Sequence, residues 1–326
     1  MMQVGRKLWD ESGLLPAAEK IAAGVPLDRD DAERLYQSRL PLLAKLVELV
    51  SPPRETLQGV GADFVVLCPL ASLLEEHALD AAVARAKDML QETIAALPRP
   101  LPLRLALDRW RGTFRRVDLL EALRSILAEI RAPVSLAPLG PTASEFESWL
   151  DEAPEVSPET MAASFGEIRA AGALQIESHG RLDLCRLAAE CGLGVAFGQP
   201  LRSGGEFPRE LMAAREGLAG TGRWFAWYPQ LGKRLDHSSL EGDEVSGWEV
   251  LKAIAVARLV LPRAVEIRAP LTTLGAKVAQ VALDFGATHL GPVAADARTA
   301  AELRLPELET FDEVIEGLVP TAVGKA

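Results

Sequence analysis

From residue 62 onward, short apolar runs alternate with longer stretches in which apolar residues recur at helical spacing. Eight short runs stand out: Asp63–Leu67, Leu103–Leu107, Pro133–Ala137, Ala173–Glu177, Gly194–Phe197, Trp224–Tyr228, Val265–Ala269 and His289–Val293. Each has the length of a buried strand rather than of a helix. Between them lie the amphipathic stretches Leu79–Ala96, Asp118–Arg131, Pro158–Ala171, Asp183–Cys191, Pro208–Leu218, Glu249–Leu261 and Leu274–Gly286, with Pro306–Leu318 after the last run. Strand alternating with helix to a count of eight predicts a (β/α)8 TIM barrel.

Upstream, residues 6–50 carry two runs at helical spacing, one through Leu14, Leu15, Ala18, Ile21 and Ala22 and one through Ala32, Leu35, Tyr36, Leu40, Leu43, Leu46 and Val47. The organisation expected is therefore an N-terminal helical extension over 1–60, the barrel over 61–305, and a C-terminal helix and tail over 306–326. Helix ends are marked locally. Asp28 or Asp30 suits an N-cap, Ser157 precedes Pro158, Pro208 lies near a helix entry, and Gly172, Gly192 and Gly286 suit left-handed C-caps. An open doubly wound sheet is the structural alternative, but Cys68-Pro-Leu-Ala-Ser72 after the first run is no G-x-G-x-x-G.

The chain has 326 residues, 48% of them hydrophobic and 25% charged, enough for a sizeable core. The net charge is −11 and Lys and Arg are scattered, which argues against a nucleic-acid partner. The N-terminus has no apolar core like that of a secretory signal, and no run reaches the roughly 18 apolar residues of a membrane span. A cytoplasmic location without membrane contact is expected. Three unevenly spaced cysteines give no disulfide framework and agree with a reducing compartment.

Barrel enzymes hold their substrates at the carboxyl ends of the strands, so the residues closing each run are the candidates. Glu177 and His179, two apart, point to one side of an extended strand and suit an acid–base pair. The same pair also reads as a hydrogen-bonded seal of the barrel mouth. Candidate ligand-binding residues are Cys68, Asp108, Arg109, Gln199, Tyr228, Gln230, His237, Arg268 and His289. Arg268 stands on an otherwise apolar strand with Glu266 as its same-face neighbour. It suits a ligand carboxylate or phosphate, or equally an internal ion pair with Glu177 or Asp108. Cys185 and Cys191 read as packing residues of one helix. With four histidines and none in H-x-x-x-H spacing, no metal site is expected.

Several segments, in order, resemble one radical S-adenosylmethionine (SAM) subgroup, that of aminofutalosine synthase, dehypoxanthine futalosine cyclase and the deazaflavin-cofactor synthases. They are Ala23–Tyr36, Ile168–Leu174, Ala188–Leu193, Gly222–Gln230, Trp248–Leu261, Leu274–Ala287 and Gly286–Val293. The resemblance implies a barrel, a [4Fe–4S] cluster on a C-x3-C-x2-C run, and SAM beside it. This chain departs from that pattern where the radical chemistry is carried. The segment after the first strand, Cys68-Pro-Leu-Ala-Ser-Leu-Leu-Glu-Glu-His77, has one cysteine. Leu107–Thr113 replaces the subgroup's Gly-Gly-Glu element, and Thr288-His289 its Asn-Asp pair. One thiolate cannot replace three.

The expectation is thus a degenerate member, a pseudoenzyme with no cofactor of its own. It would act as a ligand-binding or accessory protein in menaquinone or futalosine-type cofactor biosynthesis. Whether SAM still binds stays open. A small-molecule ligand is the expected partner, along with an active radical SAM homologue or a second copy of the chain. The alternatives are a non-radical lyase or isomerase, using Glu177 and His179 with Arg268 holding an anionic substrate, and a structural partner subunit.

Overall fold

The computed structural model describes residues 2–50, 61–97, 103–107, 121–122, 124–126, 128, 158–170, 175–202, 206–231 and 245–316. Four helices come first: α1 (Met2–Glu11), α2 (Leu15–Ala22), α3 (Arg29–Gln37) and α4 (Leu40–Val47). Then β1 (Gly61–Cys68), α5 (Leu70–Glu76), α6 (Leu79–Ala95) and β2 (Leu103–Leu107) follow. After α7 (Pro158–Ala170) the alternation is regular: β3 (Gln175–His179), α8 (Leu182–Glu190), β4 (Gly194–Pro200), α9 (Phe207–Leu218), β5 (Trp224–Gln230), α10 (Gly247–Val260), β6 (Glu266–Ala269), α11 (Leu271–Asp284) and β7 (His289–Ala294). Two helices close the chain, α12 (Ala297–Leu303) and α13 (Leu308–Glu316).

The strand order is β2-β1-β7-β6-β5-β4-β3, and β1/β2, β5/β6 and β6/β7 pair in parallel. First and last strands are neighbours, as in a (β/α)8 barrel. The order ends at β2 and β3, and the run expected between them in sequence, Pro133–Ala137, lies outside the described residues. The fold is therefore a parallel, barrel-like α/β arrangement.

The chain divides into two compact units. One comprises Met1–Gly61, Gly198–Gly220 and Phe225–Leu290, and the other Ala62–Phe197, Thr221–Trp224 and Gly291–Ala326. In the first, α10, whose Ala253–Val260 stretch is buried throughout, runs against α3 and α4. Arg215 of α9 donates to the carbonyls of Leu27 (2.7 Å) and Val260 (3.4 Å), tying the entry of α3 to the end of α10. Asp28 caps α3 through a reciprocal capping box with Asp31. Lys20 also donates to Asp28 at 2.6 Å. That hydrogen bond, and then the Asp31 amide, hold the Asp28 carboxyl down at about 2. In the second unit, Val65 and Leu67 of β1 pack with Leu303 and Leu305, and Phe64 meets Phe311 edge-on at 5.5 Å.

Gly286 ends α11 at φ +92°, where a Cβ would strike the Arg258 side chain. Glycine there serves both the left-handed turn and the close approach. Gly275, expected inside a helix, has φ +72° and kinks α11. The helix α12 was not expected. It is only seven residues long and begins directly after a strand.

Candidate functional site

On β5, β6 and β7 the register sets two opposite faces. Ala226 stands beside Glu266, Trp227 beside Ile267, Arg268 beside His289, and Ala269 beside Leu290. Trp227, Ile267, Ala269 and Leu290 are fully buried, and Trp227 meets Phe207 of α9 at 6.1 Å, so theirs is the helix-covered face. Side chains alternate along a strand, which puts Glu266, Arg268 and His289 together on the other face.

The Glu266 carboxylate is the centre of this polar group. Its Oε2 accepts from Arg268 Nη2 at 2.9 Å and Nε at 3.3 Å, and its Oε1 lies 3.4 Å from His289 Nε2. The other ring nitrogen, Nδ1, is 3.0 Å from Thr288 Oγ1. The Arg268 side chain is 6% exposed and lies 5.1 Å from the Phe225 ring centroid, while Glu266 is 34% exposed. Burial makes the charge-assisted pair structurally important, because a buried guanidinium deprived of its carboxylate is costly. Glu266 and His289 are the first residues of their strands, and the His289 ring packs so closely on Gly61, the first residue of β1, that a Cβ there would collide with it. The group thus clusters at the amino ends of the strands. Arg268 pairs with Glu266, its same-face neighbour two residues away on the strand.

Other expected residues fall elsewhere. The buried Gln199 amide accepts from Trp227 Nε1 at 3.0 Å and donates to the Phe207 carbonyl at 3.3 Å, locking α9 onto the sheet. Tyr228 is buried, with its ring against Gly198. The Gln230 carbonyl accepts from the Leu201 amide at 2.9 Å. Glu177 is buried on β3 two residues before His179. Asp108, Arg109 and His237 lie outside the described residues.

Cys68 ends β1 with no exposed surface. Directly after it Pro69 opens α5, whose Leu70 and Leu73 are buried. Sequence reasoning missed what holds this strand end. Thr299 Oγ1 accepts the Leu67 amide at 2.9 Å and donates to Asp296 at 2.7 Å, while Arg298 donates to the Leu67 carbonyl at 3.2 Å. Two side chains of α12 thereby extend the β1 ladder beyond the Ala295-to-Val65 bond. The spacing Asp296-x-x-Thr299 marks the N-cap in the sequence but not its partner strand.

A [4Fe–4S] cluster needs several thiolates facing one point. The other cysteines lie on α8 (Cys185, buried) and at its C-cap (Cys191), where burial and then the Glu190 charge push the thiol up. No group of three or more metal-ligating side chains occurs among the described residues. One buried cysteine at the end of β1 does not fit the group.

Residues 225–302 match the family model described as the CofH/MqnC C-terminal region. No curated protein matches the chain. Among solved structures, methylornithine synthase (PylB) is similar with a TM-score of 0.56 at 14% identity, over 91% of this chain and 99% of that one. The FeFe-hydrogenase maturase HydG from Carboxydothermus hydrogenoformans is similar with a TM-score of 0.59 at 13% identity, over 97% of this chain and 80% of that one. Identities this low establish a shared fold. In fold and in C-terminal sequence pattern the chain is similar to radical SAM enzymes. No described helix is long and apolar enough to cross a membrane.

Proposed function

We propose that this protein is a cluster-less relative of the radical SAM enzymes, a ligand-binding or accessory barrel linked to menaquinone or futalosine-type cofactor biosynthesis. The observation that carries the reading is the end of β1. There a single, fully buried cysteine leads straight into α5, which carries no further cysteine, in the segment where the resembling enzymes place three. The match over residues 225–302 supports a link to the CofH/MqnC group, because that pattern persists where the cluster segment does not.

A barrel that has lost its radical chemistry but keeps a pathway role should still bind a metabolite of that pathway. The test is a thermal-shift titration of the whole chain with SAM and, separately, with futalosine and dehypoxanthine futalosine. A ligand that binds only the folded state stabilises it by about 2.7 kcal/mol at a hundred times Kd. The reading expects a saturable rise with at least one of the three. Flat melting temperatures with all of them at millimolar concentration would contradict it.

A further inference from the structure

The start of β7 carries a hydrogen-bonded relay that the ligand reading does not use and on which it does not depend. Thr288 Oγ1 lies 3.0 Å from His289 Nδ1 and 3.3 Å from the Ile267 carbonyl oxygen, and it accepts the Ile267 amide at 3.2 Å. A hydroxyl has one proton to donate, so it serves either the ring or the carbonyl. When the ring is neutral with its proton on Nε2, that proton goes to Glu266 Oε1 and the Thr288 hydroxyl donates to Nδ1. When both ring nitrogens are protonated, Nδ1–H donates to Thr288 Oγ1 and the hydroxyl proton turns to the Ile267 carbonyl. Each donor in the relay has an acceptor in both states. One hydroxyl rotation converts one state into the other.

Among the described residues, Glu266 and Arg268 of β6 bring charge to the ring. Glu266, 3.4 Å from Nε2, favours the protonated ring. Arg268, the register partner of His289, opposes it, but its charge is drawn to Oε2 of the same carboxylate. From β1 the ring meets the uncharged Gly61 backbone. Thr288 also accepts the Gly61 amide at 3.0 Å through its carbonyl and donates its own amide to Ile267 at 2.7 Å. The relay therefore sits at a junction of the first strand with the last two.

We propose that Thr288, His289 and Glu266 form a proton-responsive latch joining the starts of β1, β6 and β7. On acidification the His289–Glu266 contact becomes an ion pair, and the Thr288 hydroxyl adds a bond to the β6 backbone. The stability it contributes is fully present below the unfolded histidine value of about 6.5 and is lost as pH rises through the folded midpoint.

The test is an NMR titration of the imidazole carbons in the intact chain, whose four histidines are few enough to assign His289 by the signal lost in His289→Gln. The expected result is a His289 midpoint that falls by roughly one unit in Glu266→Gln. It should fall in Thr288→Val too and return in Thr288→Ser, which restores the hydroxyl. A midpoint equal in the parent, Glu266→Gln and Thr288→Val, or a ring that does not titrate between about pH 5 and 9, would overturn the latch. Melting temperature against pH provides a second readout. The parent should lose more between about pH 6 and 9 than His289→Gln, and parallel curves would overturn the proposal independently of the NMR assignment.

Discussion

The carboxyl end of β1 and the amino ends of β6 and β7 solve the same problem, a polar strand terminus inside an apolar fold, in opposite ways. At the end of β1 the demand is met from a single helix, α12. The Leu67 amide and carbonyl are taken by Thr299 and Arg298, and Cys68 beside them is fully buried. At the starts of β6 and β7 the same kind of terminus is built around charge, with Glu266 holding Arg268 on one oxygen and His289 on the other. The first arrangement ties one strand end to one helix. The second keeps ionisable groups partly open to solvent. A change in the charge of Glu266 is therefore felt on two strands at once, whereas a change at Thr299 is felt on one.

Breaking either terminus should sharpen the contrast. The largest effect is expected for Glu266→Ala, which takes a carboxylate partner from the nearly buried Arg268 guanidinium. We expect a loss of about 3 kcal/mol in urea unfolding, with a recovery when Arg268 is replaced by Met in the same chain. Thr299→Val removes the acceptor of the Leu67 amide inside the other terminus and should cost about 2 kcal/mol, with no dependence on pH between about 5 and 9. Gly61→Ala forces the His289 ring away from its partners. It should cost about 1.5 kcal/mol and flatten the pH dependence of melting as His289→Gln does.

Away from both termini, Asp28→Ala should cost about 1 kcal/mol through loss of the α3 cap. Asp28 also sets an acid limit. Its carboxyl is lowered from an ordinary 3.8 to about 2, so its contribution is present above about pH 4 and disappears as pH falls through 2. Acid unfolding monitored by circular dichroism should show that component in the parent and not in the variant.

Local signals in the sequence reached far into this fold. Seven of the eight apolar runs are strands within one to three residues at either end, because each is short, apolar and bounded by turn residues. Gly192 and Gly286 end helices with positive φ, and Asp28 caps α3, since these roles depend on neighbours close in the chain. The kink at Gly275 was hidden because the flanking apolar positions keep helical spacing on both sides of it.

The site was less legible. Glu266 and Arg268 are two apart and could be read as same-face neighbours, but their tie to His289 depends on the β6–β7 register. Thr299 meets Leu67 across 232 residues, and nothing at either position names the other. Gln199 reads as a strand-end polar group, yet its amide is directed into the helix-covered layer by Trp227, whose own N–H required a buried acceptor.

The central claim, that the β1 terminus no longer supports radical chemistry, is tested most directly by anaerobic reconstitution of the full chain with iron and sulfide. Iron and acid-labile sulfide would be counted, and 5′-deoxyadenosine measured after addition of SAM and dithionite. The account predicts well under one cluster per chain and no 5′-deoxyadenosine above a protein-free control. A stoichiometric [4Fe–4S] cluster together with reductive cleavage of SAM would contradict it.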